Sequence, residues 1–202
     1  MKRFSRYTVL LALILGCGVS ALGQASAPAT ASSTPSSGAR AEIIDQLKYF
    51  EQRFTKLAEA VPAEKFTWRP AEGVRSIAEV YLHASFANYN LPLRLFGAPL
   101  PAGVDLNSLE KSTTDKAKII QTLHESFAHI RGAIANLSDA DVEKKLKLFG
   151  QDSTYRGGMI LIIRHLGEHL GQSIAYARIN GVVPPWTEDF QRQQKPAEKP
   201  KQ

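Results

Sequence analysis

"RHLGEHLGQ", residues 164–172, sets His165 and His169 four apart in an otherwise apolar segment, with Glu168 between them. The chain has only five histidines, so the pairing asks for a reason. Helical residues turn about 100° each, which leaves positions i and i+4 about 40° apart on one face. Two imidazoles so placed converge and suit a single metal ion. The bland alternative is a pair of core histidines, each with its own hydrogen-bond partner in apolar surroundings. Spacing alone leaves both readings open. The same stripe continues through Ile162, Gln172 and Tyr176. It is apolar below the histidines and polar above them, as at the mouth of a pocket.

Working outward, four stretches carry helical periodicity. Residues 40–60 repeat Ile43, Ile44, Leu47, Phe50, Phe54 and Leu57, and Pro62 ends the run. Residues 76–97 open on Ser76 with Glu79 three positions later, a capping box. Their stripe is Ile77, Val80, Ala84, Ala87, Leu91 and Leu95. Residues 113–137 place Ile120, Leu123, Phe127, Ile130, Ile134 and Leu137 in register. Residues 157–180 hold the histidine pair and read as the most apolar, central helix. Gly181 suits a C-terminal cap, and Pro184-Pro185 stop further extension. The expected fold class is all-α, a four-helix bundle. Segments 61–75 and 138–156 are longer than a tight hairpin needs, so at least one connection is expected to cross the bundle. "KKLKLFG" (144–150) reads as a short extended piece.

A third ligand would strengthen the metal reading. His83 lies on the second helix, close to the stripe residues Val80 and Ala87, and faces inward. His124 and His129 lie off the stripe of the third helix and read as surface residues. The candidate metal ligands are therefore His83, His165 and His169. Three neutral imidazoles hold a divalent cation and leave a coordination position open, and zinc, nickel, iron and manganese all accept such a set. Glu168 is the candidate catalytic residue, a general base or a partner to a ligand. Its bland reading is a rim carboxylate paired with Arg164.

Three segments in order carry a resemblance to a known family. They are "VPAEKFTWRPAEGVRSIAEVYLHAS" (61–85), "HLGEHLGQ" (165–172) and "YARINGVVPPW" (176–186). Together they resemble the DinB-like superfamily of metal-binding four-helix bundles, which includes the YfiT-type proteins and thiol-dependent transferases. The resemblance spans residues 40–186. It implies a bundle with a crossover connection, and it assigns the ligands to the same three histidines. Many relatives carry a histidine at the position of Glu168, so this chain departs from the pattern there. The implied function is a metal-dependent hydrolase or thiol-dependent transferase acting on a small molecule. The alternative is a non-catalytic metal-binding or stress-related envelope protein. "HLGEH" also fits the inverted zincin peptidase pattern, but that chemistry needs a carboxylate ligand well downstream, and only 33 residues follow His169.

The rest of the chain sets the context. "MKRFSR" followed by "YTVLLALILG" reads as an export signal over residues 1–23, too short in its apolar run to span a bilayer. The expectation is cleavage after Gly23 and a periplasmic or secreted protein. "ILGC" is an imperfect lipobox, which makes a lipid anchor at Cys17 the second route. Cys17 is the only cysteine of the 202 residues, so cleavage at Gly23 leaves no thiol. Residues 24–39 form a Ser/Ala/Thr/Pro linker, and residues 187–202 a charged tail expected to be disordered. The formal charge is +6, of which Lys2, Arg3 and Arg6 belong to the signal. What remains is too mild and too scattered for nucleic acid. Many helical bundles form homodimers, but no leftover stripe specifies one here. Trp68 and Trp186 are expected to pack at the bundle ends. Arg75, Tyr81, Asn88 and Tyr176 are candidates for the pocket lining or for interior groups with partners of their own.

Overall fold

Amphipathic periodicity becomes four long helices: α1 (Gly38–Ala60), α2 (Ile77–Phe96), α3 (Lys116–Ala135) and α4 (Tyr155–Ile179). A hairpin of β1 (Lys145–Leu148) and β2 (Gln151–Thr154) precedes α4, and α5 (Pro185–Gln194) follows it. The computed structural model describes residue 35 and residues 37–194. The expected signal, Cys17, linker residues 24–34 and 36, and the last eight residues lie outside the described residues. Helix α1 starts at Gly38, inside the stretch read as linker. Among the described residues no helix is long and apolar enough to cross a membrane.

Helices α1 and α2 each pack against α3 and α4. Chain neighbours α1 and α2 therefore sit diagonally, and so do α3 and α4. Two of the three connections cross the bundle, those that hold segments 61–75 and 138–156, while the equally long α2–α3 connection does not cross. Side-chain clamps fix the α1–α3 pair as antiparallel. Lys116 Nζ, opening α3, donates to the carbonyls of Glu59 (2.7 Å) and Val61 (2.9 Å) at the end of α1. Arg40, opening α1, donates to the carbonyls of Ala135 and Leu137 at the end of α3. Each cation meets orphan carbonyls of a helix C-terminus, where both hydrogen bonding and the helix dipole favour it.

One hydrophobic cluster fills the bundle, drawn from all four helices, with Phe54, Tyr81, Phe66 and Phe127 among its largest members. The most enclosed helix is α2, with eleven buried residues out of twenty. Helix α4, expected to be central, buries eight of twenty-five. The reason is its second face, where Arg164, Gly167, Glu168 and Gly171 are exposed. Gly158 permits the close approach of α2 and α4, since a Cβ there would meet Leu95 and Phe96 side-chain atoms at 3.3 Å. Tyr81 has its hydroxyl enclosed with no protein partner, and burial pushes its pKa up. Asn88 donates to Ser126 at 3.1 Å. Both belong to the interior rather than to a pocket.

The helix ends follow their sequence signals. Ser76 accepts from the Glu79 amide at 3.2 Å while Glu79 accepts from the Ser76 amide at 2.7 Å, the full capping box. Gly181, at φ +79°, turns the chain after α4, with Gly181 N–H donating to Arg178 O and Val182 N–H to Ala177 O. That is a Schellman ending, which a left-handed glycine permits. The tail departs from expectation, because residues 185–194 are helical. Proline stops a helix from within but suits the first turn of the next one. Trp186 anchors this helix by packing on the core, with the Arg53 guanidinium over its ring at 4.4 Å.

Removing the Ser76 hydroxyl should leave the Glu79 amide in the first turn of α2 without its acceptor. Ser76→Ala is expected to lower the unfolding free energy by about 1 kcal/mol, read by urea denaturation, with helical content unchanged.

Candidate metal centre

His83 faces α4 from the middle of α2, and His165 and His169 answer from successive turns of α4. One ring nitrogen from each lies within 4.8 Å of the others. Ring centroids are 4.5 Å apart for His83–His169 and His165–His169, and 5.2 Å for His83–His165. The Nε2 atoms of His83 and His165 are 3.2 Å apart. Two nitrogens bound to one ion at about 2.1 Å stand about 3.0 Å apart in octahedral and about 3.4 Å apart in tetrahedral geometry. The observed gap falls between these limits.

Outer partners decide which nitrogen faces inward. His83 Nδ1 lies 2.7 Å from Glu110 Oε1. A carboxylate only accepts, so Nδ1 carries the proton and Nε2 presents its lone pair. His169 Nδ1 lies 2.9 Å from Gln172 Oε1, which fixes the same tautomer. The Gln172 amide in turn donates to Tyr176 Oη at 3.0 Å, and Trp68 packs edge-on against the Tyr176 ring. His165 differs, because its Nδ1 is enclosed without a protein partner. Burial, with the charges of His169 and His83 next, pushes the His165 pKa down to about 4. Burial also lowers His169. Neutral imidazole is the form that ligates a metal, so the donor set fits a divalent cation.

Glu110 is the functional residue that sequence reading missed. It sits in a single 3-10 turn, Leu109–Lys111, in the long α2–α3 connection. Burial pushes its pKa up, but the His83 hydrogen bond and the His83 and Arg75 charges outweigh that and hold it below the usual carboxylate range. Arg75 secures it from the far side through Nε (3.1 Å) and Nη2 (3.0 Å). No periodicity marks a loop residue of this kind, and only packing of that turn on α2 brings it to His83. A cleft of about 600 Å³ adjoins the cluster, lined by Arg69, Arg75, Glu79, Glu110, Lys111 and Gln172, with Gly73 and Val74.

Glu168 lies outside this arrangement, 62% exposed and 3.6 Å from Arg164. His124 is exposed as expected and pairs with Glu51 at 3.1 Å. His129 is not the surface residue anticipated. It is half-buried against Tyr89, ring centroids 5.1 Å apart, because α2 and α3 pack closely there, and burial lowers its pKa. Neither ring reaches the cluster.

The lowered pKa values imply a pH dependence of the metal-free protein. An unfolded chain protonates these histidines near pH 6.5, whereas folded His165 resists down to about 4. Between those values the unfolded state binds more protons, so stability falls as pH falls. Urea midpoints of chelator-treated protein should be lower at about pH 5 than at about pH 7, and His165→Gln should narrow the difference.

Comparison with known proteins bears on the fold and the family. No curated protein matches the chain. A DinB-like protein from Bacillus cereus ATCC 10987 has a similar fold, with TM-score 0.60, 17% identity, and cover of 71% of this chain and 93% of that one. A DinB-like protein from Bacillus subtilis, YjoA, gives TM-score 0.51 and 18% identity, covering 70% of this chain and 94% of that one. The model of the DinB superfamily matches residues 46–173, a span that includes all three histidines. More than half of the chain lies in that match, and the chain belongs to the DinB superfamily.

Proposed function

We propose that this chain is an exported metal protein whose Nε2 atoms at His83, His165 and His169 hold a divalent ion with coordination positions left open. The loaded site acts as a hydrolase or thiol-dependent transferase on a small molecule. The observation that carries the reading is the meeting of three ring nitrogens within 4.8 Å. Family membership supports it. Export rests on the basic and apolar character of residues 1–23. Export also favours hydrolysis, since water is available in the envelope while low-molecular-weight thiols are mainly cytoplasmic. The all-imidazole set accepts zinc, nickel, iron or manganese alike.

A divalent ion held this way supplies a nucleophile at neutral pH by lowering the pKa of a water or thiol that joins it. The chain's own residues do the remaining work. Glu110 and Gln172 hold two rings in the ligating tautomer. The cleft beside them receives the substrate. Two carboxylates are candidates for proton acceptor, Glu110 at the cluster and Glu168 at its rim. Glu110 is committed to His83 and Arg75, while Glu168 is held only by its exposed pair with Arg164. The role is assigned to Glu168, the freer of the two. The same observation gives the second reading its support. With Glu110 committed and Glu168 at the rim, the site also suits metal binding without turnover.

Purified protein, stripped and reloaded, is expected to carry about one ion per chain by elemental analysis, largely lost in His83→Ala. Equal occupancy in that variant would remove His83 from the site. Glu110→Gln should keep the ion but weaken its binding about tenfold. Ester or thioester turnover that His165→Ala abolishes would separate the enzyme from the binder.

A further inference from the structure

We propose that the cleft beside the histidines binds the carboxylate of a small organic acid, through the Lys111 ammonium and the outward edge of Arg75. The inference rests on the metal reading for which atom reacts, but not for what binds.

Three cations and two carboxylates line the cleft: Arg69, Arg75 and Lys111 against Glu79 and Glu110. Both carboxylates are spent within the protein. Glu79 takes the Ser76 amide at 2.7 Å and Arg69 at 3.2 Å. The Ser76 amide, ahead of burial and the Arg69 charge, decides the direction in which its pKa moves, which is down. Glu110 takes His83 and Arg75. Glu110 has both oxygens occupied, and Glu79, whose contacts both fall on Oε2, has its charge balanced by Arg69.

The cations are not all spent. Arg69 is tied by Nη1 to the Val74 carbonyl at 2.8 Å and by Nη2 to Glu79. Arg75 uses Nε and Nη2 on Glu110, which leaves Nη1 without a partner among the described residues. Lys111 is exposed, and its ammonium makes no ion pair or hydrogen bond among the described residues. One uncompensated positive charge and two sets of free N–H donors therefore face one space.

That count selects the ligand. A carboxylate brings one negative charge and two acceptor oxygens, which match one net cation and two donor groups. A phosphate dianion would overcharge the cleft. A neutral amide would leave the ammonium unpaired. The volume, about 600 Å³, suits a small molecule. Because Glu110 and Gln172 both line the cleft and both touch ligand-candidate histidines, an acid anchored at Lys111 has its remaining length directed toward the ring nitrogens.

The test titrates butyrate and its neutral isostere butyramide into 15N-labelled protein, zinc-loaded and metal-free, following amide shifts. Butyrate should move the Gly73, Val74 and Lys111 amides saturably in both forms, and butyramide should not. Lys111→Gln should weaken butyrate about fivefold, and Lys111→Arg should restore it. Lys111 is exposed, so neither variant threatens the fold. Equal shifts with the two probes, or butyrate affinity unchanged in Lys111→Gln, would overturn the proposal. Zinc content of the same samples separates the two readings. Butyrate selectivity without zinc binding would sink the metal reading alone, and zinc binding without selectivity would sink this one alone.

Discussion

The Nε2 atoms of His83 and His165 rest 3.2 Å apart, a separation that one shared proton or one shared cation must bridge. That constraint organises the middle of this bundle. His83 is held in the lone-pair-inward tautomer by Glu110, and His169 by Gln172. Both partners lie within hydrogen-bond distance, and both are themselves secured, by Arg75 and by Tyr176. The protein spends several side chains on pointing nitrogens at one another. Such an arrangement is unfavourable for an apolar core and favourable for a cation.

Topology makes the meeting achievable. The histidines come from α2 and α4, which are neighbours only because α1 lies diagonal to α2 and α3 diagonal to α4. An up-and-down bundle with short loops would place chain neighbours side by side and set α2 and α4 on a diagonal, across the core from each other. The two crossing connections are what put the rings on facing surfaces. One cost is a pair of long segments that need their own internal order. The first obtains it from the backbone bonds of Ile77 to Trp68 and Ala78 to Phe66, with Phe66 fully enclosed. The second obtains it from the β1–β2 hairpin.

What was legible in the sequence is what periodicity and local chemistry encode. The four helices, the Ser76 capping box, the glycine turn at Gly181 and the shared face of His165 and His169 all follow from short-range spacing. Loop length pointed to a crossing but did not separate the two crossing connections from the equally long α2–α3 one. The misses lie where tertiary packing decides. Glu110 sits 27 residues from His83 in a connection with no pattern. His129 is off its own helix stripe, yet Tyr89 of the neighbouring helix covers it. Residues 185–194 are polar enough to read as tail, and only the docking of Trp186 on the core gives that helix a reason to form. Apolar fraction misled about α4, since the helix turns the side that holds Arg164, Gly167, Glu168 and Gly171 to solvent and so is not the most buried one.

The absence of a carboxylate among the three converging side chains has an electrostatic consequence. Had one of the rings been an aspartate or glutamate, a divalent ion there would keep only one net charge. With three neutral imidazoles it keeps both. Glu110, one bond removed, does not cancel this, because Arg75 already balances it at 3.0 Å. The field that a bound divalent ion would set up at the open coordination positions would therefore be nearly undiminished in these partly buried surroundings, where screening is weaker than in water. Such a field favours the deprotonated form of whatever nucleophile arrives and attracts a ligand with negative charge. The unpaired ammonium of Lys111 has the same sign, and the cleft and the histidine cluster thus favour anions together rather than opposing each other.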